Sequence, residues 1–195
     1  VIIRIDYMFV APNWFEGWLI QFGIFIVIPL VVAIIVGFIV KKKKDSKFFG
    51  ILSVGLAFIV VLAIMLPIGS VYWHYAYEVP SVQEKIITVQ EWQPKAGIKY
   101  NNEGMMVIDN ADQLMLITTD NEGFVNEENF LFNKFNTRDV FNKLKINGTY
   151  KIKYYGWRNG FNSGFPNILS VEKVVNDNNT SNNKYGDYFG VKFAN

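Results

Sequence analysis

Apolar residues crowd two stretches of the chain, 18–40 and 48–71, separated by Lys41, Lys42, Lys43 and Lys44. Neither stretch carries a formal charge, and Gln21, Ser53 and Ser70 are their only clearly polar residues. At about 1.5 Å rise per residue each makes a helix of roughly 35 Å, long enough to cross a bilayer core with some tilt. The pattern predicts a transmembrane α-helical hairpin over residues 16–74, preceded by a short segment, 1–15. Asn13 is a suitable helix cap, and Trp14, Phe15 and Trp18 suit the aromatic belt at a membrane surface. Pro29 is expected to kink the first helix, and Pro67 falls near the outer end of the second. Ala33 with Gly37, and Ser53 with Ala57, put small residues four apart, which lets two helices approach closely. Antiparallel packing within the hairpin is the simpler use of these stripes, with homo-oligomerisation through the hairpin as the alternative.

After Glu78, Val79 and Pro80 the period changes from helical to strand-like. Residues 82–92 alternate, with Ile87, Val89 and Glu91 on one face and Ile86, Thr88, Gln90 and Trp92 on the other. Short strands follow at 105–108 and 114–118, around a hairpin at Asn110, Ala111 and Asp112. Asn136 or Thr137 caps a short helix whose apolar side is Val140, Phe141 and Leu144. A strand at 150–155 faces inward through Tyr150, Ile152 and Tyr154, and a last strand runs over 168–175. Five strands with a helix between the third and fourth predict an OB-like, partly open β barrel over 81–175. An SH3-like or open antiparallel sheet fits the same order. Residues 176–195 form a polar, Asn-rich tail expected to be partly disordered, although Tyr185, Tyr188, Phe189, Val191 and Phe193 make it too aromatic to be inert.

Charge decides orientation. Residues 1–74 hold six basic against three acidic residues, whereas 75–195 hold thirteen against fourteen, so the positive excess belongs to the hinge. A short loop with five lysines resists translocation, which places it in the cytoplasm and the C-terminal domain on the extracytoplasmic side. The near-neutral domain carries no electrostatic footprint for nucleic acid. The sequence reading thus assigns a multi-pass, two-helix cell-membrane protein, with a protein partner and no cofactor.

Candidate catalytic chemistry is sparse. There is no cysteine, and the single histidine, His74, sits among Tyr72, Trp73, Tyr75 and Tyr77, an expected headgroup-level belt. Nucleophile–histidine schemes and Cys/His metal sites therefore have no residues to use. Glu127 with Glu128, and Asp109 with Asp112, are carboxylate pairs in turn-like stretches where solvated side chains are the ordinary outcome. No phosphate-binding glycine loop or calcium-loop spacing occurs. The triplets beginning at Asn147, Asn178 and Asn179 match N-glycosylation acceptors, which an Asn-rich chain also produces by chance.

The stretch Phe130-Leu131-Phe132-Asn133-Lys134-Phe135-Asn136-Thr137-Arg138-Asp139 is followed by Tyr154-Tyr155-Gly156-Trp157-Arg158 and by Phe165-Pro166-Asn167-Ile168. These segments resemble an uncharacterised prokaryotic and phage family that places a transmembrane segment before a small β domain. This chain differs in its Asn159-Gly160-Phe161 and in having two apolar runs. The resemblance implies a fold and supplies no activity. It singles out Trp157, Arg158, Pro166 and Asn167 as a structural or binding signature, with Trp157 expected to cover the open end of the core. Arg158 is expected to pair with Asp139 or Glu128, with an anion-binding guanidinium beside an aromatic wall as the functional alternative. The resulting expectation is a membrane-anchored extracytoplasmic binding or accessory module, not an enzyme. The alternatives are a membrane assembly subunit in which the hairpin works and the β domain regulates, and a small extracytoplasmic enzyme.

Overall fold

The computed structural model describes residues 9–95, 111–160 and 164–176, and the chain divides into two compact units, Val1–Pro80 and Ser81–Asn195. In the first unit, α1 (Trp14–Phe22), a π-helical turn (Gly23–Val27) and α2 (Ile28–Lys44) run continuously for 31 residues. The second helix, α3 (Lys47–Trp73), continues through a π-helical turn (His74–Glu78) and a 3-10 turn (Val79–Ser81) to 35 residues. Both are long and apolar enough to cross a membrane.

Local chemistry explains the ends of these helices. Asn13 Oδ1 accepts the Glu16 N–H at 2.9 Å while Glu16 accepts the Asn13 N–H at 3.1 Å, a reciprocal cap that satisfies two otherwise unpaired donors. Lys41, Lys42, Lys43 and Lys44 occupy the last turn of α2, where cations complement the helix dipole. Asp45 then adopts a left-handed conformation, φ 46°, and reverses the chain. Pro29, which cannot donate to the helix ladder, follows directly on the π-helical turn, so the helix adjusts ahead of the proline. Ser53 and Ser70 return their hydroxyls to the carbonyls of Gly50 and Leu66, both at 2.8 Å.

The helices meet through small residues. Ala33, Gly37, Gly50 and Gly69 are buried, and Ser53 and Ala57 are half-buried. A Cβ at Gly37 would lie 2.2 Å from Val54 Cγ2 and 3.1 Å from the Gly50 carbonyl, so the seam closes only on glycine. Large apolar side chains point the other way: Phe38, Phe48, Ile51 and Ile59 are all exposed.

The second unit is a ring of five strands: β1 (Gln83–Pro94), β2 (Leu114–Thr118), β3 (Gly123–Val125), β4 (Thr149–Tyr155) and β5 (Asn167–Asn176). Their spatial order is β1-β2-β3-β5-β4, closing back on β1. β1 makes closure possible by pairing with β4 through residues 83–88 and with β2 through residues 89–94. All pairs are antiparallel except β3 with β5, a single parallel pair, Val125 with Asn167. That seam is the thinnest part of the ring.

A bulge between Val89 and Glu91 alters the alternation of β1. Ile87, Val89 and Trp92 all face inward, so Trp92 joins the face from which strict alternation would exclude it. At 1% exposure it is the largest core side chain, 4.9 Å from the Phe141 ring, and its Nε1 donates to the Leu144 carbonyl at 3.3 Å. α4 (Thr137–Lys143) supplies Val140 and Phe141, and Leu114, Leu116, Phe124, Leu144, Tyr150, Ile152 and Ile168 complete the core.

Among the described residues the ring has five strands, and they are not the five expected. The third strand is Gly123–Val125, formed where Asn121, at φ 60°, turns the chain back from β2. The expected strand at 105–108 lies outside the described residues. Of the expected hairpin, Ala111 and Asp112 form a 3-10 turn with Gln113. Asn136 precedes α4 without a capping bond from its side chain, whose Oδ1 is buried and has no hydrogen-bond partner. The tail beyond Asn176 lies outside the described residues.

Candidate functional site

Gly156, at φ 84°, turns the chain sharply out of β4, a conformation that suits only glycine. Its N–H donates to Ser81 Oγ at 2.7 Å, tying the β4 exit to the start of the β unit. Beyond it, Asn159 and Gly164 form an isolated bridge that narrows the base of the β4–β5 loop. Arg158 lies across this base. Its guanidinium carbon is 3.9 Å from the centroid of the Phe165 ring, and Nη1 donates to the carbonyls of Gly164 at 3.0 Å and Asn159 at 3.3 Å.

The loop, the β2–β3 turn and the first residue of β1 enclose a groove of about 410 Å³. Its walls are aromatic, through Phe124, Tyr154, Trp157 and Phe165, with Gln83, Asn121, Glu122 and Arg158 as polar contributors. Phe124 and Tyr154 meet edge to face at 5.2 Å. Glu122 is held by Lys85, whose Nζ reaches both carboxylate oxygens at 2.6 Å, and this bond raises the lysine pKa. Burial raises the Tyr154 pKa, which keeps the phenol neutral.

Three of the four signature residues, Trp157, Arg158 and Pro166, line this groove together. Two details differ from expectation. Trp157 is only half-buried and forms groove wall, while the barrel core is filled by Trp92. Arg158 forms no ion pair with Asp139 or Glu128, because the loop folds it back onto backbone carbonyls and Phe165.

Asn167 enters a second, buried site on the β3–β5 seam. There Lys134, 3% exposed, places its ammonium 2.9 Å from Asn126 Oδ1, 2.6 Å from the Glu127 carbonyl and 3.4 Å from Asn167 Oδ1. Asn167 Nδ2 donates to the Glu127 carbonyl at 3.1 Å and to Tyr155 Oη at 3.1 Å, and its Oδ1 accepts the Glu127 N–H at 3.0 Å. Asn129 Nδ2 reaches the same tyrosine oxygen at 2.7 Å. The lysine is delivered by a tight loop in which Asn129 and Lys134 exchange backbone bonds and Asn133 sits at φ 51°. Burial lowers its pKa to about 8, against the opposing pull of Glu127 and Glu128. This network fastens β3 to β5 where a single strand pair closes the ring.

Asn126 and Asn129 were not singled out by sequence reasoning, and Lys134 and Tyr155 entered it only within the stretches that carry the family resemblance, with no role assigned. A lysine inside the aromatic run 130–135 is the only local hint, and burial of a lysine is decided by the segments around it. His74 is buried against the protein, with Nδ1 2.9 Å from Glu78 one helical turn on. Among the described residues no three His, Asp or Glu side chains gather into a metal-binding group.

The comparisons with known proteins bear on this part of the chain. Residues 128–189 match the family described as Protein of unknown function (DUF1523). The match covers about a third of the chain, in keeping with the resemblance to an uncharacterised family, and it assigns no activity. It includes Lys134, Tyr155, Trp157, Arg158, Phe165 and Asn167, and begins after Gln83, Lys85 and Glu122. No curated protein and no solved structure matches the chain.

Proposed function

We propose that the protein is a membrane-anchored binding module, its hairpin spanning the bilayer with the lysine hinge in the cytoplasm and an OB-like domain outside. The groove walled by Trp157, Arg158 and Phe165 carries this reading. A concave surface with aromatic walls and a few converging polar groups is the ordinary form of a ligand site. It also lies at the β4–β5 loop, one of the positions from which OB-like barrels bind ligands. The strand order with its α4 insertion supports the OB-like assignment. The outward-facing apolar side chains of the two helices, and the lysines between them, support the membrane placement.

Two experiments test the reading. Protease added to intact cells should remove residues 81–195, and protection until lysis would reverse the topology. Replacing residues 14–78 by an unrelated two-helix anchor of the same orientation should leave capture of native partners intact. Loss of capture in the exchanged chain would favour an assembly subunit whose working part is the hairpin.

A further inference from the structure

We infer that the groove binds an oxyanion, a phosphate or carboxylate carried on a flat or apolar body, with Arg158 receiving the anion. The inference rests on the binding-module reading and names its ligand chemistry. Two charged residues line the groove, Glu122 and Arg158. Glu122 is already neutralised by Lys85, which meets both of its oxygens. Arg158 has no carboxylate partner among the described residues and remains exposed. The lining together with Lys85 therefore carries one uncompensated positive charge.

The guanidinium is also held in place. Stacking on Phe165 and the two bonds from Nη1 fix its plane, so little side-chain entropy is lost when an anion arrives. A planar fork suits the paired oxygens of a carboxylate or phosphate better than a lysine point charge does. Trp157 and Tyr154, both half-buried, provide faces and edges for a ring or acyl chain beside it. The volume, about 410 Å³, matches a small molecule or the end of a larger one. Two sources offer this chemistry, an anionic lipid headgroup and a soluble anion.

The test uses the full chain in phosphatidylcholine nanodiscs, with phenyl phosphate as the probe and phenol as its neutral counterpart, followed by ligand-observed NMR titration. Phenyl phosphate should bind at least about tenfold more tightly than phenol, a difference of about 1.4 kcal/mol. Arg158→Gln should lose about tenfold in phenyl phosphate affinity and leave phenol unchanged, with Arg158→Lys in between. Repeating the titration in phosphatidylglycerol nanodiscs separates the sources. Weakened probe binding marks a lipid headgroup in the groove, unchanged binding marks a soluble anion, and both support the inference. Equal affinity for phenol and phenyl phosphate, no binding of phenyl phosphate in phosphatidylcholine discs, or full affinity in Arg158→Gln would each overturn it. The phenol comparison uses the native chain, so it decides the matter even if Arg158→Gln loosens the loop. A negative result alongside intact partner capture by the anchor-exchanged chain would remove the oxyanion inference and leave the module reading standing.

Discussion

The hairpin and the barrel are built from the same apolar residue types turned in opposite directions. In the barrel Trp92, Leu114, Leu116 and Ile152 point inward, while Glu84, Gln90 and Glu172 face out beside a few apolar residues such as Ile86 and Phe130. In the hairpin Ala33, Gly37, Gly50 and Gly69 are inside, and large side chains such as Phe38, Phe48, Ile51, Leu56 and Ile59 are outside. In water, apolar burial drives packing at about 25 cal/mol per Å², so large side chains go to the centre. In lipid that drive between helices vanishes, and close approach of small residues takes over. The inversion is therefore a statement about two solvents, and it supports the proposed membrane placement of the hairpin.

Trp92→Ala should produce the largest effect, destabilising the barrel by about 3–5 kcal/mol because loss of a buried aromatic leaves a cavity and removes the bond from Nε1 to the Leu144 carbonyl. Denaturant unfolding followed by near-ultraviolet circular dichroism reads it, and a loss under about 1 kcal/mol would remove Trp92 from the centre of the core. Lys134→Met keeps the volume roughly but takes the lysine donor from Asn126 Oδ1 and one of two donors from the Glu127 carbonyl and from Asn167 Oδ1. The expected cost is about 3 kcal/mol, measured the same way. A neutral result would mean that the β3–β5 seam does not depend on the ammonium.

Gly37→Val places side-chain atoms where Val54 and the Gly50 carbonyl already lie. It should weaken hairpin packing by about 1–3 kcal/mol in detergent micelles while barrel unfolding is unchanged, and the reverse pattern would break the comparison. The last expected effect is in pH. Lys134 titrates near 8 in the folded protein, below the ordinary value of about 10.4, so the unfolded chain binds more protons between those limits. Its contribution to stability should rise from pH 8 to about 10.5 and be flat below. The slope is at most about 1.4 kcal/mol per pH unit, read as the difference between the native chain and Lys134→Met. A flat difference across that range would mean that burial does not depress the amine.

Local rules carried much of this architecture. Run length and the absence of charge sufficed for two helices long enough to span a bilayer, because helix length follows from residue count alone. Asn13 with Glu16 signalled the first cap, and the apolar face of Val140, Phe141 and Leu144 signalled α4, since both depend on spacing within one turn or two. The changes came where distant segments meet. Trp92 turned inward because a bulge opposite β2 added a residue to β1. Lys134 became buried because Asn126 and Glu127, just after β3, and Asn167, at the start of β5, supply the acceptors that replace water. Arg158 met Phe165 instead of a carboxylate because the loop base closes at Asn159 and Gly164. The groove itself combines Gln83, Glu122 and Trp157, residues far apart in the chain that only closure of the ring brings together. Sequence alone determined what each segment can form. Tertiary structure decided which charges lost water and which kept it, because desolvation depends on every neighbour at once.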